Sequence, residues 1–166
     1  MKKSLFFDFS VNKKTKTITV KREFAASLPL VWDAWTNANI LDKWWAPKGW
    51  VCQTKSMKFM EGGFRHYMVR GPKGEEHWSI MNYTNIQLHK EFSGTECFAD
   101  ENVMLNKDFP QSEFRIVFEE KNGRTFIEHF TTYLNLEDLE ASLKYGFKEG
   151  TIDAFERLDE TLETKK

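Results

Sequence analysis

His66 and His129 are the side chains in this sequence best suited to moving protons near neutral pH, and both sit in strand-like runs. In GGFRHYMVRG, alternation puts Phe64, His66 and Met68 on one face. In TFIEHFTTYL it does the same for Thr125, Ile127, His129 and Thr131. If both faces turn inward, two imidazoles converge on one apolar space. There either one can donate a hydrogen bond to a ligand carbonyl or serve as acid–base catalyst. Turned outward, or satisfied within the core, they do neither. Trp78, which alternates with Ile80, offers a ring either for stacking on a ligand or for packing under a helix. Glu61, Glu113 and Glu128 lie on or beside strands, but alternation does not aim two of them inward as a carboxylate pair.

Other chemistries lack their residues. The remaining histidines, His77 and His89, complete no helix-spaced zinc pair, and neither HExxH nor CxxC occurs, so no metal or cofactor is expected. Cys52 and Cys97 stand far apart and read as two ordinary thiols. No nucleophile elbow, phosphate-binding glycine loop or Ser-His-Asp order appears. The 24 basic and 25 acidic residues are interspersed and leave a net charge of −1, without the basic stripe that nucleic acid requires. Asp8 interrupts LFFDF before a signal-peptide core forms, and no apolar run approaches a membrane span. Asn82-Tyr83-Thr84 is then a chance sequon, and the cytoplasm is the expected address.

These residues need elements to hold them. Two strands, 5–11 and 16–24, flank Asn12-Lys13-Lys14-Thr15, and Ile18, Val20 and Arg22 share a face. Ser27 and Pro29 open a helix whose apolar stripe is Leu28, Val31, Trp32 and Trp35. Asn37 restarts a second helix that buries Ile40, Leu41 and Trp44 and stops at Pro47 and Gly49. Adjacent helical residues cannot share a face, so one of Trp44 and Trp45 should pack inward and the other outward. Trp50 has the best chance of exposure. Strands over 52–59, 64–70, 75–84, 87–98, 112–121 and 124–134 follow, with turns at Gly71-Pro72-Lys73-Gly74 and Asn122-Gly123. Residues 99–111 read as a long polar loop. Asn135 caps a helix running to Leu162, interrupted twice on one face by Gly146 and Gly150, for which a packing or cavity reason is expected. The fold class is α+β: a curved antiparallel sheet of about six or seven strands around a long C-terminal helix, with two short helices closing one end. The chain reads as one domain over 1–166, with 1–15 as an N-terminal strand extension.

The ordered set Val31-Trp32-xx-Trp35-Thr36, Leu41-xx-Trp44-Trp45-x-Pro47, Gly62-Gly63, Pro72-x-Gly74, Asn122-Gly123-Arg124-Thr125 and Gly146-xxx-Gly150 resembles the heat-shock-protein-90 ATPase activator homologue-like (Aha-type) domain. That family belongs to the SRPBCC superfamily of START-like, Bet v 1-like helix-grip proteins, and the resemblance spans about residues 16–162. It implies a cavity between sheet and terminal helix. The superfamily includes lipid and sterol carriers, hormone receptors, and polyketide cyclases and aromatases. The family usually carries Trp after the second helix glycine, where this chain has Thr151, so one large ring is missing from the helix.

The expected function is that of a soluble protein holding a small hydrophobic or aromatic molecule in this cavity. Trp35, Phe64, His66, Trp78, His129 and Tyr145 are the expected lining, and loop 99–111 the gate. No catalytic residue is assigned. One alternative is a cyclase- or aromatase-like enzyme using His66 or His129 on a bound substrate. Another is an interaction module, for chaperone ATPase regulation or another partner. Its core would be filled by its own aromatics, and Trp45 or Trp50 would form the working surface.

Overall fold

The computed structural model describes residues 5–102, 104 and 111–165. Eight antiparallel strands form one curved, open sheet. They are β1 (Phe7–Asn12), β2 (Thr17–Phe24), β3 (Val51–Lys58), β4 (Phe64–Arg70), β5 (Glu76–Gln87), β6 (Glu91–Ala99), β7 (Gln111–Lys121) and β8 (Arg124–Tyr133). The order β1-β2-β8-β7-β6-β5-β4-β3 makes every neighbour except β2–β8 a consecutive pair. The sheet is larger than the six or seven strands expected because the N-terminal segment pairs fully with β2, from Phe7 opposite Arg22 to Asn12 opposite Thr17. At the β7–β8 hairpin, Asn122 and Gly123 both take positive φ, 54° and 77°. This is the two-residue turn whose twist matches the strands it joins.

Two short helices, α1 (Leu28–Thr36) and α2 (Ala38–Trp44), follow β2. Asn37 caps α2 by accepting a bond from the Asn39 amide at 2.9 Å. Ser27 makes no side-chain cap at α1; the Leu28 amide instead donates to Glu120 of β7. α1 buries Val31, Trp32, Ala34 and Trp35, and α2 buries Leu41 and Trp44.

The C-terminal helix is two helices. α3 (Leu136–Lys144) starts at Asn135, whose side chain accepts from the Asp138 amide at 2.8 Å. α4 (Phe147–Glu163) begins beyond Gly146. The expected continuous helix breaks because Gly146 adopts φ 94°, a left-handed conformation that costs an L side chain about 1–2 kcal/mol and a glycine almost nothing. α4 then crosses the sheet and buries Phe155, Leu158, Thr161 and Leu162. Arg22 on β2 donates Nη1 to Asp159 Oδ1 and Nη2 to Asp159 Oδ2, at 3.0 and 2.5 Å, a two-pronged tie between sheet and helix. Arg157 Nη1 faces the carbonyl oxygens of Ala46, Pro47 and Trp50 at 2.9, 3.2 and 3.0 Å, fastening the loop after α2 to α4.

Candidate functional site: an aromatic cavity between sheet and helix

A cavity of about 730 Å³ lies between the concave face of the sheet and α4. The strands supply its floor: Tyr67 and Val69 from β4, His77, Ser79 and Met81 from β5, Glu96 and Phe98 from β6, Phe114 from β7, and His129, Thr131 and Tyr133 from β8. α4 covers it with Phe147, Gly150, Thr151, Ala154 and Phe155. Trp35, Trp44, Trp45 and Trp50 close one end, and Tyr145, 78% exposed, stands at the rim. Gly150 is in this wall; a Cβ there would meet only Pro47 Cγ, at 3.5 Å.

The tryptophans form a packed cluster. Trp35 sits edge-on to Trp44, Trp45, Phe155 and His129, with centroids 4.8–5.9 Å apart. Its Nε1 is buried with no hydrogen-bond partner among the described residues. Trp44 is 1% exposed and donates Nε1 to the Ala34 carbonyl at 2.9 Å. The expectation that Trp44 and Trp45 diverge is corrected here, since both line the cavity. Trp45 is the C-cap of α2, with ψ 58°, and has left the helical path that would have turned it away. Trp50 is half-buried, stacked on His77 at 5.9 Å, rather than exposed.

The polar groups gather on the floor. The Tyr67 hydroxyl donates to Glu96 Oε2 at 3.1 Å. Burial raises the Glu96 pKa above the ordinary carboxylate value, against the opposing pull of the Tyr67 hydrogen bond and Arg65. Tyr67 is itself raised, by burial first and then by Glu96. Burial lifts Tyr133 to about 12, although a hydrogen bond with Ser142 works the other way. Burial also pushes His129 down to about 4, so its imidazole is neutral at neutral pH.

Beside this floor, on the same face of β4 as Tyr67, lies Arg65, 0% exposed. Its guanidinium lies against the Tyr67 and Trp45 rings, 4.1 and 5.0 Å from their centroids. Nε donates to Thr54 Oγ1 at 3.2 Å, Nη2 approaches Cys52 Sγ at 3.2 Å and Asp42 Oδ1 at 3.7 Å, and Nη1 has no partner among the described residues. Asp42 in turn accepts from the Thr54 hydroxyl and amide at 2.6 and 3.0 Å. Burial raises the Cys52 thiol to about 11, leaving it an unreactive neutral group. Among the described residues, no cluster of three or more His, Cys, Asp or Glu side chains is placed to hold a metal ion.

Residues 25–163 match the family described as Activator of Hsp90 ATPase homolog 1-like protein. The chain belongs to that family. Sequence comparison with curated proteins finds no match. Among solved structures of similar fold is protein Ms6760 from Mycobacterium smegmatis. It is 29% identical, with 94% of this chain and 95% of that one covered and a TM-score of 0.86. A protein from Arthrobacter aurescens, 23% identical over 95% and 91% of the two chains, superposes with a TM-score of 0.89. The AHSA1 protein from Silicibacter pomeroyi, 18% identical over 90% and 99%, gives 0.70. The last two share the fold.

In this Aha-type domain the six residues expected to line the cavity divide evenly. Trp35, His129 and Tyr145 are in its wall. Phe64, His66 and Trp78 are on the opposite face of the sheet. Tyr67 and Val69 pair with Ser79 and His77 on the cavity side, so Phe64, His66 and Met68, paired with Asn82, Ile80 and Trp78, face away. His66 is nevertheless 1% exposed, packed 5.0 Å from the Trp78 ring, with Nε2 donating to the Asp100 carbonyl at 2.8 Å. It is a satisfied structural histidine. The gate expected over 99–111 falls largely outside the described residues.

Sequence reasoning missed Glu96, Tyr67 and the buried Arg65. A signal for the first was present: Phe92, Gly94, Glu96 and Phe98 alternate along β6, placing a carboxylate on an apolar face. No segment of described helix is long and apolar enough to cross a membrane.

Proposed function

We propose that this protein binds a small, mainly apolar or aromatic molecule in the cavity between the sheet and α4. The observation that carries this reading is the cavity itself. Its volume of about 730 Å³ falls within the span of about 300–1,000 Å³ usual for small-molecule sites. Its walls are aromatic, and a few polar groups (Glu96, Tyr67, His129, Ser79) stand at separate points to fix an orientation. Membership of the Aha-type family fits a binding or interaction module of this kind.

The family's name points to chaperone ATPase activation, for which a protein-docking surface is needed. Trp45 and Trp50, the rings that would form it, turn into the cavity wall instead, which favours a small ligand. Native mass spectrometry of the purified protein, before and after denaturing extraction, tests the proposal. A bound molecule of defined mass supports it. An empty protein that also takes up no hydrophobic dye rejects it.

A second reading is favoured by His129, a neutral imidazole inside the cavity with no charged partner among the causes of its shift. There it is unprotonated and placed to accept a proton from a bound cyclisable substrate, although the depressed pKa makes it a weaker base than a free imidazole. Under that reading His129→Gln abolishes turnover while ligand affinity stays within a few-fold; equal losses in both favour binding alone.

A further inference from the structure

Among the described residues, Glu96 is the one carboxylate in the wall of the cavity, and no lysine or arginine side chain lines it. Tyr67 bonds its Oε2, and among the described residues nothing bonds Oε1. Among the described residues, the charged groups tied to this corner are Asp42, Arg65 and Glu96. Arg65 lies behind the Tyr67 and Trp45 rings, outside the lining, and turns Nη2 toward Asp42. With Glu96 ionised the trio sums to one uncompensated negative charge, located on the group that faces the cavity.

We propose that the ligand is an organic amine: an apolar, aromatic-sized body whose protonated nitrogen bonds Glu96. This deepens the binding reading above and rests on it. A cation supplies the missing charge, donates to the free carboxylate oxygen, and meets the Trp45 and Tyr67 rings beside it. An anion would face Glu96 with no counter-charge in the wall. A neutral molecule would leave a carboxylate desolvated against rings, a state relieved only by protonation. Burial pushes Glu96 upward, and Tyr67 and Arg65 offset that only in part. Two histidines also stand in the wall: His129, which burial holds neutral, and His77, an exposed residue stacked on Trp50.

Three probes of one size separate the possibilities: naphthylethylamine, naphthylethanol and naphthylacetate, titrated at neutral pH and physiological salt by calorimetry and by quenching of tryptophan fluorescence. The wild-type protein is expected to bind the amine at least about tenfold more tightly than the alcohol, with the acid weakest. Glu96→Gln, close to isosteric, is expected to remove that advantage, the amine losing about tenfold while the alcohol binds as well as before or better, since no carboxylate is then desolvated. An alcohol that binds as well as the amine overturns this inference and leaves the binding reading standing. Failure of all three to bind overturns both. An amine preference that survives in Glu96→Gln overturns the role given to Glu96. Should that variant fail to fold, as judged by its circular dichroism and melting, the wild-type ranking decides alone, since an amine that does not exceed the alcohol rejects the proposal.

Discussion

The two histidines that sequence singles out differ by the face of the sheet on which they fall, and this gives His129 a measurable signature. Alternation along β4 and β8 shows which residues travel with each histidine, but not which face is concave. That depends on where α4 lies, and α4 is joined to neither strand's local pattern. His129 is held at about 4 from an ordinary 6.5 by burial. Between those values the unfolded chain takes a proton that the folded protein refuses, so stability falls as pH drops through the window. The loss approaches about 3 kcal/mol below it. Glu96 works in the opposite sense: its raised pKa costs stability as pH rises past the ordinary 4.5. The difference between wild type and His129→Gln isolates the histidine. Urea midpoints measured from pH 7 to about pH 4 should show the wild type losing more stability than the variant. Parallel curves would mean that His129 titrates normally.

At the scale of elements, capping, turn and periodicity signals located almost every strand and helix, because each is a local property of the chain. Asn37, Asn135 and Asn122-Gly123 act as read. The break at Gly146 escaped because periodicity continues across it: Leu139, Leu143, Phe147, Phe155 and Leu158 keep a helical spacing whether or not the axis is continuous. Only backbone strain distinguishes the two cases, and it predicts that Gly146→Ala loses about 1 kcal/mol in chemical denaturation. A Cβ there would come no closer than 3.9 Å to Glu149 Oε2, so a loss would report the positive φ and not crowding. An unchanged midpoint would show that the chain accepts a continuous helix. The tie between α4 and the loop after α2 is equally specific. Arg157→Met keeps the stem but removes the donor to Ala46, Pro47 and Trp50, at an expected cost of about 2 kcal/mol. Loss of that clamp should also free Trp50, seen as a red-shifted, lower-anisotropy tryptophan emission. A spectrum identical to wild type would place the rigidity of the rim elsewhere.

The property least legible in sequence belongs to the whole molecule, namely that fifteen phenylalanines and six tryptophans leave space instead of filling it. Composition counts rings but not the distance between the layers that carry them. Here α1 and α2 pack against α4, and Phe155 reaches Phe24 and Trp35 while Thr151, one turn earlier, lines the cavity. Thr151 is also where the sequence resemblance leads one to expect Trp, so a small side chain stands in the cavity wall in place of a large ring. Thr151→Trp should therefore restore a ring to the cavity wall. The indole would bury apolar surface that now faces the cavity, so the melting temperature should hold or rise. A naphthyl probe should lose about tenfold or more in affinity, because the ring and the probe compete for one volume. The pair of readouts matters, since a destabilised variant would also bind poorly. Lower affinity with an unchanged or higher melting temperature places the ligand between sheet and α4, whereas undiminished binding in a folded variant would put it on another surface.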